Sequence, residues 1–118
     1  MYQYEVLYVS KLPLIRHEVL LLPSGRATHN HPDKQVVIES IDEAIGSRRI
    51  AGRKIVKSHL NESQIIARAQ VLASSRRYNV GYNCEDYISE LFGGPAISKQ
   101  RNFWFALGLC GLGMIAAR

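Results

Sequence analysis

The stretch HEVLLLPSGRATHNH, residues 17–31, constrains this chain more than any other. An apolar, β-compatible run at 17–22 meets Pro23-Ser24-Gly25, a turn signal, and a second arm continues toward His29. Such a pattern specifies a hairpin and therefore an antiparallel sheet. It also carries chemistry, because His17 and His29 stand twelve residues apart with the glycine turn between them. A hairpin turning near Gly25 brings both histidines to the same end of the strand pair. His17 opens an apolar strand, where an ionisable ring must find a partner.

The flanking sequence supplies more strands and then helices. Residues 2–9 (YQYEVLYV) alternate as a strand does, and 34–40 (KQVVIES) and 53–58 (RKIVKS) read as two further short strands. Ser40 with Glu43 forms a capping box for a brief helix. A longer helix begins near Asn61, with Gln64 reaching back to the cap and Ile65, Ile66, Ala69, Leu72 and Ala73 as its apolar stripe. Another begins at Asn83 or Cys84, sets Tyr87, Ile88 and Leu91 on one face, and stops at Gly93-Gly94-Pro95. Strands and helices in separate blocks define an α+β class. At 118 residues the chain fits one domain, and 47% hydrophobic with 21% charged residues excludes a disordered composition.

Several functional classes fall away on composition. No Walker or Rossmann glycine pattern and no internal repeat is present. Two cysteines cannot build a disulfide framework, and no basic-then-apolar signal opens the chain, so an intracellular setting is expected. The net charge of +5 favours anionic surfaces, yet the basic residues fall in pairs (Arg48-Arg49, Arg53-Lys54, Arg76-Arg77) that read as solvated surface. No specific nucleic-acid binding is expected. Residues 103–117 (FWFALGLCGLGMIAA) are apolar or glycine throughout. As a helix they would span about 22 Å, short of the roughly 30 Å hydrocarbon core of a bilayer. They suit a buried helix, an interfacial segment or a short anchor.

Cys84 is the residue on which function turns. A helix N-terminus lowers a thiol pKa, and Asn83 as N-cap would put Cys84 in the first turn. The same backbone N–H groups could stabilise an oxyanion on an attacked carbonyl. Glu85 and Asp86 work against the thiolate, so a nucleophilic Cys84 needs a histidine partner. His17 can accept the thiol proton while His29 orients it. Two other readings use the same residues. Cys84 can be a small buried hydrophobe, and His29-Asn30-His31 offers a His-x-His pair for zinc with Cys84 as a distant third ligand. The letters HNH match a nuclease name, but the rest of that motif is missing.

Taken together, HEVLLLPSGRATH and NCEDYISELFGG resemble the two boxes of the lecithin:retinol acyltransferase-like proteins, often called NC-domain proteins. The approach QIIARAQVLASSRRYNVGYNCE is similar too, and the resemblance covers roughly residues 10–95. It implies a circularly permuted papain-like α+β domain over residues 1–98. In that fold a small antiparallel sheet packs on helices, and the histidine strand precedes the cysteine helix. It implies Cys84 as nucleophile, His17 as general base, His29 as third member, and no cofactor or metal. The implied activity is thiol acyl transfer or hydrolysis on an ester or amide, lipid first, through a thioester. Residues 99–118 echo the membrane-seeking tail of some members. This chain departs from the pattern at Asp86, where histidine is usual, at Glu18, where an aromatic is common, and at Pro23-Ser24, where Gly-Asp is usual. A non-catalytic binding module of the same fold is the alternative expectation.

Overall fold

The computed structural model describes residues 1–12, 15–79 and 82–93. Five strands form one antiparallel sheet: β1 (Tyr2–Leu12), β2 (Ile15–Leu21), β3 (Arg26–His31), β4 (Gln35–Ser40) and β5 (Arg49–Ser58). Their order across the sheet is β4-β3-β2-β1-β5. Three helices accompany them: α1 (Ile41–Ile45), α2 (Glu62–Ser75) and α3 (Cys84–Leu91). The architecture is α+β. The expected boundary at residue 98, the Gly94-Pro95 stop and the apolar segment 103–117 lie outside the described residues. No described helix is long and apolar enough to cross a membrane.

Local chemistry sets the element ends. The β2–β3 turn closes with Leu22 N–H donating to Arg26 O at 2.8 Å and Gly25 N–H to Leu22 O at 3.0 Å. Gly25 sits at φ +89°, a left-handed conformation that glycine adopts without a Cβ penalty. Ser40 caps α1 by accepting from Glu43 N–H. At α2 the box is reciprocal: Gln64 N–H donates to Asn61 Oδ1 at 2.9 Å, and Asn61 N–H to Gln64 Oε1 at 2.8 Å.

Three strands exceed the lengths their side chains suggested, β2 by starting at Ile15 although it ends one residue early at Leu21. β1 continues past Val9 and β5 begins at Arg49, because backbone pairing from Tyr2↔Ser58 to Ser10↔Arg49 needs no apolar pattern. The α2 stripe is narrower than expected. Ile65, Ala69 and Leu72 are buried, but Ile66 is half-buried and Ala73 is exposed.

Alternation along the strands gives the sheet two apolar faces. On one, Tyr4, Val6, Leu20 and Leu22 pack with Ile65, Ala69 and Leu72 of α2 and with Tyr87, Ile88 and Leu91 of α3. On the other, Leu7, Val9, Val19 and Ala27 pack with Ala44 of α1. Full burial of a side chain such as Leu20 or Ile65 stabilises the fold by about 1.5–3 kcal/mol. Tyr87 anchors α3 across the first face, its hydroxyl 2.6 Å from Thr28 Oγ1 in a buried hydrogen bond.

Candidate functional site

His17 lies opposite Val9 of β1 and shares the phase of Val19, so its ring belongs to the α1 side of the sheet. His29 and His31 share the phase of Ala27 on β3 and stand on that same side. The period of two therefore gathers three imidazoles from two neighbouring strands. His17 Nε2 and His29 Nδ1 are 2.6 Å apart, a hydrogen bond. The His17 and His29 rings meet edge to face at 4.9 Å between centroids, and His31 packs edge-on against both, at 5.8 and 5.7 Å. His31 Nδ1 accepts from the Asp33 and Lys34 N–H groups at 3.0 and 3.3 Å.

The cluster continues into β4. His29 is fully buried, and its Nε2 lies 2.6 Å from Glu39 Oε2. Glu39 in turn receives Lys34 Nζ at 2.9 Å on each carboxylate oxygen. Burial is the main force lowering the His17 pKa, to about 2, with His29, Arg48, His31 and Lys34 adding in the same direction. Burial lowers His29 as well, against the opposing pull of Glu39. Both rings are neutral at physiological pH.

Cys84 occupies the first turn of α3. Asn83 caps that helix, its Oδ1 accepting from Glu85 N–H at 3.0 Å and Asp86 N–H at 3.2 Å. Asp86, fully buried, accepts from Asn83 N–H at 2.8 Å through Oδ2. Asp86 thus completes the capping box of α3. Neither cap takes the N–H of Cys84 itself.

The thiol is 4% exposed, and its Sγ sits 4.0 Å from Arg16 O, against the backbone of the histidine strand. Pairing between β2 and β3 is confined to Leu20↔Thr28 and Leu21↔Ala27. Beyond it the end of the hairpin carrying His17 and His31 is open, and Asn30 Nδ2 donates to Tyr82 O at 3.2 Å just ahead of α3. Burial pushes the Cys84 thiol up to about 12, with the Glu18 and Glu85 carboxylates adding and the backbone groups of those two residues offsetting part. Glu18 is 3% exposed, and burial raises its pKa, Lys54 opposing and Glu85 reinforcing. Lys54 Nζ stands 3.2 Å from Glu18 Oε1, a Coulombic pairing, since that oxygen accepts no well-formed hydrogen bond.

The structure therefore brings His17 and His29 into direct contact and seats Cys84 against the same strand, but no hydrogen bond joins the thiol to the imidazole. Glu18, in phase with Leu20, belongs to the α3 side, whereas the His17 ring belongs to the α1 side. Sequence reasoning passed over Glu39 and Lys34, and weighed His31 only as half of a His-x-His pair for zinc. Glu39 pairs with Ala27 and His29 with Val37, so Glu39 reaches His29 diagonally across the ladder. The available signal was a carboxylate on the same phase as Val37, next to the apolar run Val36-Val37-Ile38. Among the described residues, no group of three or more His, Cys, Asp or Glu is arranged to hold a metal ion. No protein-family model, curated protein or solved structure matches the chain.

Proposed function

We propose that the chain is a thiol acyltransferase or hydrolase of circularly permuted papain-like fold, acting on an ester or amide acyl group through a thioester on Cys84. The observation that carries this reading is the 2.6 Å contact between His17 Nε2 and His29 Nδ1, on the strand whose backbone holds Cys84 Sγ. With Nε2 engaged, His17 has only Nδ1 left to receive the thiol proton. Its ring stands on the α1 side of the sheet and α3 carries Cys84 on the other, so this reading requires the His17 side chain and the thiol to meet around the open β2–β3 end during turnover. Both groups are neutral at rest, so proton transfer accompanies attack on the carbonyl and does not precede it. The oxyanion forms beside the Cys84 N–H at the α3 N-terminus. Collapse expels an alcohol or amine, protonated by the His17 imidazolium. Water, an amine or an alcohol then gives its proton to His17 and attacks the thioester, which releases the acyl product and restores the thiol.

Lipid esters are the first substrates to test, because the resemblance, the net charge of +5 and the apolar segment 103–117 all suit a lipid interface. An intracellular location, cytoplasmic or membrane-associated, is part of this reading. Turnover of short and long acyl esters should be abolished in Cys84→Ala. An unchanged rate in that variant would remove Cys84 from the mechanism.

One observation favours a second reading, a non-catalytic binding module of the same fold. A thiol 4% exposed and pushed up to about 12 behaves as a structural cysteine. Absence of turnover on esters, amides and thioesters alike, with the chain folded, would select this reading.

A further inference from the structure

We propose that Glu39 is a fourth, positioning member of the site: its carboxylate fixes the proton arrangement of both imidazoles so that the free nitrogen of His17, Nδ1, carries a lone pair. Its catalytic meaning rests on the thiol-enzyme reading above; the proton arrangement itself does not.

A neutral imidazole has one N–H and one acceptor nitrogen. The contacts run in a line, His17 Nε2 to His29 Nδ1 at 2.6 Å and His29 Nε2 to Glu39 Oε2 at 2.6 Å. With both rings neutral, only two arrangements satisfy both; a third, a His29 imidazolium donating to both neighbours, is opposed by the burial of His29, which lowers its pKa. In the first, His29 donates Nε2–H to the carboxylate and its Nδ1 accepts Nε2–H from His17, which leaves the Nδ1 of His17 as an acceptor. In the second, His29 donates Nδ1–H to His17, and its bare Nε2 faces Glu39, which must then be a protonated acid. His17 would hold its proton on Nδ1 and could take none from a thiol.

Lys34 decides between them. Its ammonium lies 2.9 Å from both Glu39 oxygens, which favours the ionised carboxylate. Burial pulls the other way, but the hydrogen bonds from His29 and Lys34 hold the Glu39 pKa below its ordinary value. An ionised Glu39 accepts and cannot donate, so with His29 buried and neutral the first arrangement follows. The other charged or titratable groups facing His17 are Arg48 and His31. His31 receives two backbone N–H groups on Nδ1, which places its own proton on Nε2 and keeps it out of the relay. Glu39 thus acts on the reacting centre through His29, without reaching substrate.

The test is long-range ¹⁵N–¹H correlation of the imidazole rings in the full labelled chain at neutral pH, which needs no substrate. The wild type should show His17 and His29 both as Nε2–H tautomers. In Glu39→Met, which removes the acceptor, His29 is released to donate Nδ1–H to His17. The ratio of Nδ1–H to Nε2–H forms of His17 should rise at least tenfold. A wild-type His17 already protonated on Nδ1 overturns the proposal, as does an unchanged His17 tautomer in a folded Glu39→Met variant. Should that variant not fold, the wild-type spectrum decides alone. If the tautomers are as expected and no acyl substrate is turned over, the enzymatic reading fails and the arrangement set by Glu39 stands.

Discussion

Titrating the Cys84 thiol exposes the central physical claim about this site to direct refutation. The thiol is moved from an ordinary value of 9.0 to about 12, chiefly by burial, with Glu18 and Glu85 adding negative charge nearby. Three pH units correspond to about a thousandfold less thiolate at any pH well below 9. At pH 8, on the order of one molecule in ten thousand carries the reactive form. The measurement is the rate of iodoacetamide labelling across pH, paired with ultraviolet thiolate absorbance after rapid pH jumps so that the folded protein is read. A Cys110→Ser background makes Cys84 the sole reporter. The rate should climb about tenfold per pH unit without a plateau below about pH 11, whereas the denatured chain should level off near 9. Glu18→Gln, which removes one carboxylate beside the sulfur, should move the titration downward. A plateau below pH 8 that disappears in His17→Gln would refute the reasoning, since it would mean a thiolate held by the imidazole in the resting protein.

Acid should weaken the fold in a defined window. His17 is lowered from 6.5 to about 2, so between those values the unfolded chain binds a proton that the folded chain refuses. Its contribution to stability is full above about 6.5 and is lost as pH falls, at up to about 1.4 kcal/mol per pH unit. His29 acts in the same direction. Urea unfolding at successive pH values should show this slope, and His17→Gln should flatten it; a wild type equally stable at pH 7.5 and 4.5 contradicts the assignment. At α3, Asp86→Ala removes the buried acceptor of Asn83 N–H and should cost about 1–2 kcal/mol. An unmoved denaturation midpoint would show that the carboxylate does not hold the cap.

Much of the fold was legible because its causes are local. The turn needed Gly25, and Asn61 with Gln64 and Ser40 with Glu43 satisfy orphan helix amides within three residues. Asn83 announced the start of α3 for the same reason. The return of β5 to pair with β1 was not legible beyond residues 53–58. Its first residues are recruited by backbone partners more than thirty positions away in sequence. Asp86 could be singled out from sequence as a departure beside Cys84, but only the helix geometry turns its carboxylate back onto Asn83.

The pairing of His17 with His29 lay in their spacing about the turn, since a hairpin fixes which residues become neighbours. The role of Glu39 required the register of β4 on β3, which no local signal encodes. The tertiary structure alone decided which side of the sheet each strand residue takes, with Glu18 under α3 and His17 on the α1 side. It also decided that the Cys84 thiol and the His17 and His29 rings are neutral. Desolvation depends on everything that packs around a group, and the elements burying Cys84, His17 and His29 come from distant parts of the chain. Residue identity and spacing could single out Cys84, His17 and His29; only packing sets how hard it is to move a proton on or off each of them.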